Sequence, residues 1–269
     1  MDDLIVSGLR IDWSMLADSY ASRIPSLRSL DELGFRKNVT FLVGENGSGK
    51  STLLEAIAVV CGFNAEGGTR NYRFSTYDDT SDLAEAMTVY RQRAIGPSSF
   101  FLRAESFFTL ATQAREYGRG YDNMSRLHEM SHGEGFLEIL LSRTGRGLYL
   151  MDEPESALSP QRQLTLLEHM HRMANGGSQF IIATHSPILL GLPDAGILSF
   201  DETGVHPCDY EDTDSYRITK TFIDRRESLF RHLFGNEPGD GRKRLRVFAM
   251  MFDWHLKKHE RLEVLRHGD

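Results

Sequence analysis

The chain is poor in cysteine. Cys61 and Cys208 are the two it has in 269 residues, far apart and without a C-x-x-C pair. That excludes a disulfide framework and a cysteine metal site. No apolar run approaches the ~18 residues of a membrane-spanning helix. The start, Met1-Asp2-Asp3-Leu4, is acidic where a secretory leader is basic. These absences lead us to expect a cytoplasmic protein with no membrane partner. Internal repeats, low-complexity tracts and sustained heptads are also missing, which excludes solenoids and long coiled coils. Positive charge is scarce: the net charge of −7 argues against a surface coated for nucleic acid. The shortage is uneven, however. Residues 241–269 hold eight Lys/Arg against four acids, a balance of +4, which leaves −11 on the other 240 residues.

What is present suits a large α/β domain with a small appendage. A 40% hydrophobic and 26% charged composition supplies an ordinary core. We expect one domain over 1–236 and a basic helical tail over 237–269. Leu4–Asp12 reads as a strand, and 13–37 as a mixed stretch broken by Pro25 and Gly34. Val39–Val43 reads as a buried strand and Ser51–Val60 as a helix. Residues 81–94 look helical, Ser98–Ala104 reads as a strand, and Glu105–Tyr117 and Glu134–Ser142 as helices. Leu148–Met151 and Gln179–Ala183 are short apolar strands flanking a helix from about Pro160 to Ala174. Ile197–Asp201 and Val205–Cys208 form a candidate hairpin, and 215–234 and 242–265 have helical period. Alternation of strand and helix predicts a mostly parallel sheet.

The segment Gly44-Glu45-Asn46-Gly47-Ser48-Gly49-Lys50-Ser51, followed by Thr52, joins a strand to a helix and fits G-x-x-x-x-G-K-[ST]. Its glycines let successive N–H groups converge on one phosphate. Lys50 reaches the β/γ-phosphates, the Ser51 hydroxyl suits Mg2+, and the helix start adds its positive end. Downstream, Leu148–Met151 runs into Asp152-Glu153-Pro154. An Asp at a strand end beside a phosphate loop is placed to hold Mg2+ through its shell. The next Glu is placed to orient or deprotonate the attacking water. His185 ends the strand Gln179–Ala183 and its Thr184, where it can meet a γ-phosphate.

In this order the motifs resemble the ATP-binding-cassette ATPases: the phosphate loop, Asp152-Glu153, the loop Ser156-Ala157-Leu158-Ser159, and the switch His185. Met130-Ser131-His132-Gly133-Glu134-Gly135 is similar to the family signature L-S-G-G-Q, keeping Ser131 and Gly133, with His132 and Glu134 departing from it. The resemblance implies that Ser131 and Gly133 contact the γ-phosphate held by an opposite subunit, so a head-to-tail homodimer forms on ATP. It also implies a P-loop NTPase fold: a RecA-like, mostly parallel sheet with an antiparallel β edge and a helical signature subdomain. The chain looks more like chromosome-maintenance and recombination-repair heads than like a transporter cassette. It further resembles small stand-alone bacterial ATPases in Val39–Ala58, Gly62–Gly68 and Phe101–Phe108. Roughly residues 4–234 are covered.

Glu105 stands where cassette ATPases carry a Gln, and Arg103 is a candidate phosphate or base contact. Asn64, Glu66 and Arg70 could order the loop near the nucleotide. The tail either packs on the domain, docks a partner or a second subunit, or touches nucleic acid. The functional expectation is Mg-dependent ATP hydrolysis. An ATP-gated module serving a separate effector, such as a nuclease in repair or phage defence, is the alternative, and a transporter cassette a third.

Overall fold

A computed structural model of the chain describes residues 4–16, 19–68, 82–104 and 132–234. Two compact units are present, Met1–Tyr210 and a second beginning at Glu211. The expected boundary at 236 and the basic tail lie outside the described residues, as do Arg70, Glu105, the helix expected over 105–117, and Ser131.

The first unit is built on a six-stranded sheet. Its strands are β3 (Val39–Gly44), β5 (Phe100–Arg103), β6 (Leu148–Asp152), β7 (Gln179–Ala183), β8 (Gly196–Asp201) and β9 (Gly204–Pro207), in the order β5-β6-β7-β3-β8-β9. Every neighbouring pair is parallel except β8 with β9, the expected hairpin. The sheet is mixed α/β in class, mostly parallel with an antiparallel edge, as the alternation predicts.

Side chains alternate across it. Leu42, Leu150 and Ile181 face one core with Leu53, Leu54 and Ile57 of α2 (Lys50–Val60). Phe41, Met151 and Ile182 face another with Leu166, Met170 and Met173 of a later helix, Pro160–Asn175. Burial on both faces is why these strands read as unbroken apolar runs.

A second sheet, in the order β2-β1-β4, joins β1 (Val6–Ile11), β2 (Glu32–Gly34) and β4 (Met87–Arg91) in antiparallel pairs. Here the sequence reading needs correction. The helix expected over 81–94 is a single 3-10 turn, Asp82–Ala84, followed by β4. Met87 is buried, Val89 half-buried, and Thr88 and Tyr90 are exposed, a period of two that pairing with β1 selects over the helical one. The stretch 13–37 contains β2 and a short helix, α1 (Pro25–Arg28).

The two sheets share one apolar core and are also linked by the side chain of Gln179. Gln179 Oε1 accepts from the Ile5 and Val6 amides at 3.0 and 2.8 Å, and its Nε2 donates to the Val6 carbonyl at 2.8 Å. Among the described residues the remaining α-helices of this unit are α3 (His132–Ser142), α4 (Pro160–Asn175) and α5 (Pro187–Leu190).

In the second unit, α6 (Asp214–Phe234) departs from helical dihedrals at Arg225 and carries Phe230 against Phe222 and Phe234. Among the described residues no helix is long and apolar enough to cross a membrane.

Candidate functional site

Parallel strands bring their C-terminal ends to one sheet edge, and the chain places its polar motifs there. β3 runs into the phosphate loop, and α2 starts at Lys50 with Gly49 as its N-cap. Gly44, Gly47 and Gly49 all have positive φ. Gly44 needs its missing side chain most: a Cβ there would press on the Phe200 carbonyl oxygen and the Ser48 hydroxyl. Gly49 is pinned by Leu27 and Ile24 from the segment around α1. The Ser26 hydroxyl of α1 donates to the Ser48 carbonyl and fixes the loop from behind.

Lys50 is only 4% exposed, and its Nζ donates to the Gly44 and Glu45 carbonyls, both at 2.8 Å. Burial pushes its pKa down, and the carboxylates of Glu153, Asp152, Glu155 and Glu45 oppose that shift. Asn46 and Gly47 are exposed, while Thr52, in the first turn of α2, is half-buried.

Ser51 Oγ donates to Asp152 Oδ1 at 2.9 Å, linking residues 101 positions apart in sequence. Asp152 ends β6, opposite Ala183 of β7. Glu153 follows in a left-handed conformation, φ 49° and ψ 52°. Its amide donates to the Ala183 carbonyl at 2.9 Å, and its own carbonyl accepts from the Ser156 amide and hydroxyl. His185 Nε2 lies 3.9 Å from Glu153 Oε1. Burial, and then the charge of Lys50, push the His185 pKa below its ordinary 6.5, while Glu153 and Glu155 oppose this. Its Nε2 is buried without a hydrogen-bond partner, as is the Ser48 hydroxyl. Gly133 lies in α3, and Ser131 is outside the described residues.

The structure therefore gathers the phosphate loop, Ser51, Asp152, Glu153 and His185 at one edge. Sequence reasoning missed Glu155 there. Its Oε1 accepts from the His185 amide at 2.6 Å, and Oε2 is buried without a partner. The Asp-Glu-Pro-Glu spelling held the signal, because a turn at Glu153 returns the second Glu to the same side. Gln163 was missed as well: it donates to the Leu158 carbonyl and accepts from the Ser186 hydroxyl, tying the loop after Glu153 to the segment after His185. Arg103, a candidate phosphate or base contact by sequence, engages two groups of its own chain in this structure. Its Nη1 donates to Glu55 Oε2 at 2.7 Å and to the Ala65 carbonyl at 3.3 Å. Asn64 accepts from the Glu66 amide at 3.1 Å, a local turn beside that contact.

The donor set fits a hard divalent cation beside phosphates. A hydroxyl and a carboxylate meet at 2.9 Å. An orphaned buried hydroxyl on Ser48 and a buried lysine complete a cradle that phosphate oxygens would satisfy.

Two family models match the chain. Residues 23–99 match one described as "AAA domain", and residues 116–191 one described as "AAA domain, putative AbiEii toxin, Type IV TA system". No curated protein is similar enough to match. Among solved structures, the SMC head domain from Thermotoga maritima shares 16% identity over 77% of this chain and 100% of its own, with a TM-score of 0.44. CbiO1 from Clostridium perfringens, part of the ABC transporter complex cbiONQ, shares 15% over 84% of this chain and 97% of its own, at 0.46. Values this low carry nothing about function. The two AAA-domain matches contain the phosphate loop on one side and Asp152, Glu153 and His185 on the other, and with the sheet order they support a P-loop NTPase fold.

Proposed function

We propose that the protein binds Mg-ATP at this edge and hydrolyses it, with the closed site shared between two copies of the chain. The contact between Ser51 Oγ and Asp152 Oδ1 carries the reading, because it holds the two groups suited to Mg2+ together at the phosphate loop. Lys50 exchanges its bonds to the Gly44 and Glu45 carbonyls for phosphate oxygens, and the loop amides and the Ser48 hydroxyl take the rest of the phosphate surface. Ser51, and Asp152 through the metal's water shell, would hold Mg2+, which would supply charge neutralisation at the phosphates. Glu153 orients the attacking water and accepts its proton. His185, neutral near pH 7 because its pKa is depressed, offers its unpartnered Nε2 to the γ-phosphate side. Ser131 and Gly133 of the opposite copy close the site against the γ-phosphate.

The test is Glu153→Gln, followed by steady-state turnover and by light scattering with and without Mg-ATP. Turnover is expected to fall by about 10²-fold or more while ATP still binds, and the mass is expected to double on ATP. Undiminished turnover would remove Glu153 from the mechanism. An ATP-bound monomer would remove Ser131 and Gly133 from the site.

A second reading is an ATP-gated module acting on a separate effector. It is favoured by the match of residues 116–191 to a model whose description names a toxin and a Type IV TA system. Under this reading turnover is slow alone and rises with a co-purifying protein. Fast turnover of the pure chain with no such partner refutes it.

A further inference from the structure

Arg103 is the last residue of β5 and lies directly beside Asp152 in the sheet register. Its Nε stands 3.9 Å from Asp152 Oδ2, the oxygen that Ser51 does not engage. Its Nη1 sits closer to another carboxylate, Glu55 Oε2, at 2.7 Å. Glu55 is one helical turn beyond Ser51 on the same face of α2. The Ala65 carbonyl takes a further bond from the same Nη1, and Gly68 pairs with Phe101 on β5, so the loop from 62 to 68 braces the guanidinium. All of these side chains are largely shielded, with Arg103 at 25%, Glu55 at 14% and Asp152 at 12% exposure.

We infer that Arg103 is a positioning residue for the metal-binding carboxylate, a built-in counter-ion of Asp152 whose grip Glu55 restrains. This rests on the reading of the site as one for Mg-nucleotide. The charges explain why such a device is useful. In the free protein Asp152 already faces a cation of its own chain, so Mg2+ alone gains little by approaching it. When nucleotide phosphates arrive they add negative charge that Arg103 cannot cover, and Mg2+ then becomes the better partner for Asp152. The guanidinium keeps a full ionic bond to Glu55 throughout, so its withdrawal from Asp152 strands no buried charge. Mg2+ therefore loads with the nucleotide and not ahead of it.

The experiment measures binding of a fluorescent ATP analogue, mant-ATP, at rising Mg2+ and separately in EDTA. It compares wild type, Arg103→Gln, Arg103→Lys, Glu55→Gln and the double Arg103→Gln/Glu55→Gln protein, with circular dichroism to confirm folding. A charge about 4 Å from Asp152, partly screened by solvent, is worth on the order of tenfold in metal affinity. Arg103→Gln is thus expected to lower the half-saturating Mg2+ concentration about tenfold and to leave binding in EDTA unchanged. Glu55→Gln is expected to raise it by a similar factor, and Arg103→Lys to stay near wild type.

Because Glu55 acts through Arg103, the double variant is expected to match Arg103→Gln and not the product of the two single effects. If one single variant does not fold, the other decides alone. Equal weakening with and without Mg2+ in Arg103→Gln would make Arg103 a phosphate contact or a structural prop and overturn the inference. Additive effects in the double variant would overturn the role given to Glu55. Wild type that binds mant-ATP with no Mg2+ enhancement, or does not bind it at all, would refute the underlying reading of the site, and this inference with it.

Discussion

Glu153 is a non-glycine residue at φ 49°, ψ 52°, and that conformation has a measurable cost. The left-handed region places the Cβ against the following carbonyl and costs roughly 1–2 kcal/mol in any residue that has one. Nothing in the backbone hydrogen bonding requires a side chain here: the amide donates to Ala183 and the carbonyl accepts from Ser156 whatever residue stands at 153. The side chain is 46% exposed, so little packing offsets the strain. The turn brings the Glu153 carboxylate to 3.9 Å from His185, and the catalytic role proposed for it there is what would justify the strain.

Substituting Glu153 by Gly and by Gln separates strain from charge, since both remove the carboxylate and only Gly removes the Cβ. Glycine also loosens the unfolded chain, which takes back about 0.4–1 kcal/mol. The net expectation is that Glu153→Gly is more stable than Glu153→Gln by about 1 kcal/mol, near a fivefold shift in the unfolding equilibrium. The assay is urea unfolding of nucleotide-free protein in a Trp254→Phe background. Trp13 is then the sole indole and reports on the first unit, where its Nε1 donates to the Leu30 carbonyl. Equal stability, or a less stable Gly variant, would refute the strain and the view that this turn is held for function.

Two more outcomes follow from the same site and its support. His185 has its pKa depressed below 6.5, so the unfolded chain takes up its proton first as pH falls. The stability this group contributes is complete above pH 6.5 and declines from there down to the depressed folded value. Urea midpoints of wild type against His185→Gln from pH 8 to pH 5 should show the substitution removing part of the acid-side loss. Identical slopes would mean that His185 is not held neutral by burial and Lys50. Gln179→Leu removes three hydrogen bonds between the two sheets and leaves the Ile5 and Val6 groups unpaired in the core. It should destabilise the protein by about 3 kcal/mol in the same assay, and a loss under about 1 kcal/mol would mean that the sheets are held together mainly by their apolar faces.

How much of this was legible follows from where each residue gets its instructions. β3, β6 and β7 are buried on both faces, so their apolar runs announce them without knowledge of their neighbours. The strands β2 and β4 are edge partners of β1, and their residues are a compromise between one buried and one open face. Only the pairing of Leu9 with Val89 and Leu33 makes Met87–Arg91 a strand and not a continuation of the preceding turn. The sequence carries no mark of that pairing within the window that a periodicity count can see.

The site divides along the same line. Gly44–Ser51, Asp152, Glu153 and His185 are readable because each motif names its own place at the end of a strand, and a parallel sheet delivers all such ends to one edge. Which side chains then grip one another is set by strand order, and order is a long-range property. Arg103 and Asp152 are adjacent only because β5 lies beside β6, and Glu55 joins them only because α2 packs against β6. Read along the chain, an arginine after three apolar residues faces solvent or a phosphate. Read across the sheet, it is answered on one side by the carboxylate proposed for the metal and on the other by Glu55. The chemistry of this edge was therefore spelled by local motifs, while the control of its charge is written in the pairing of strands.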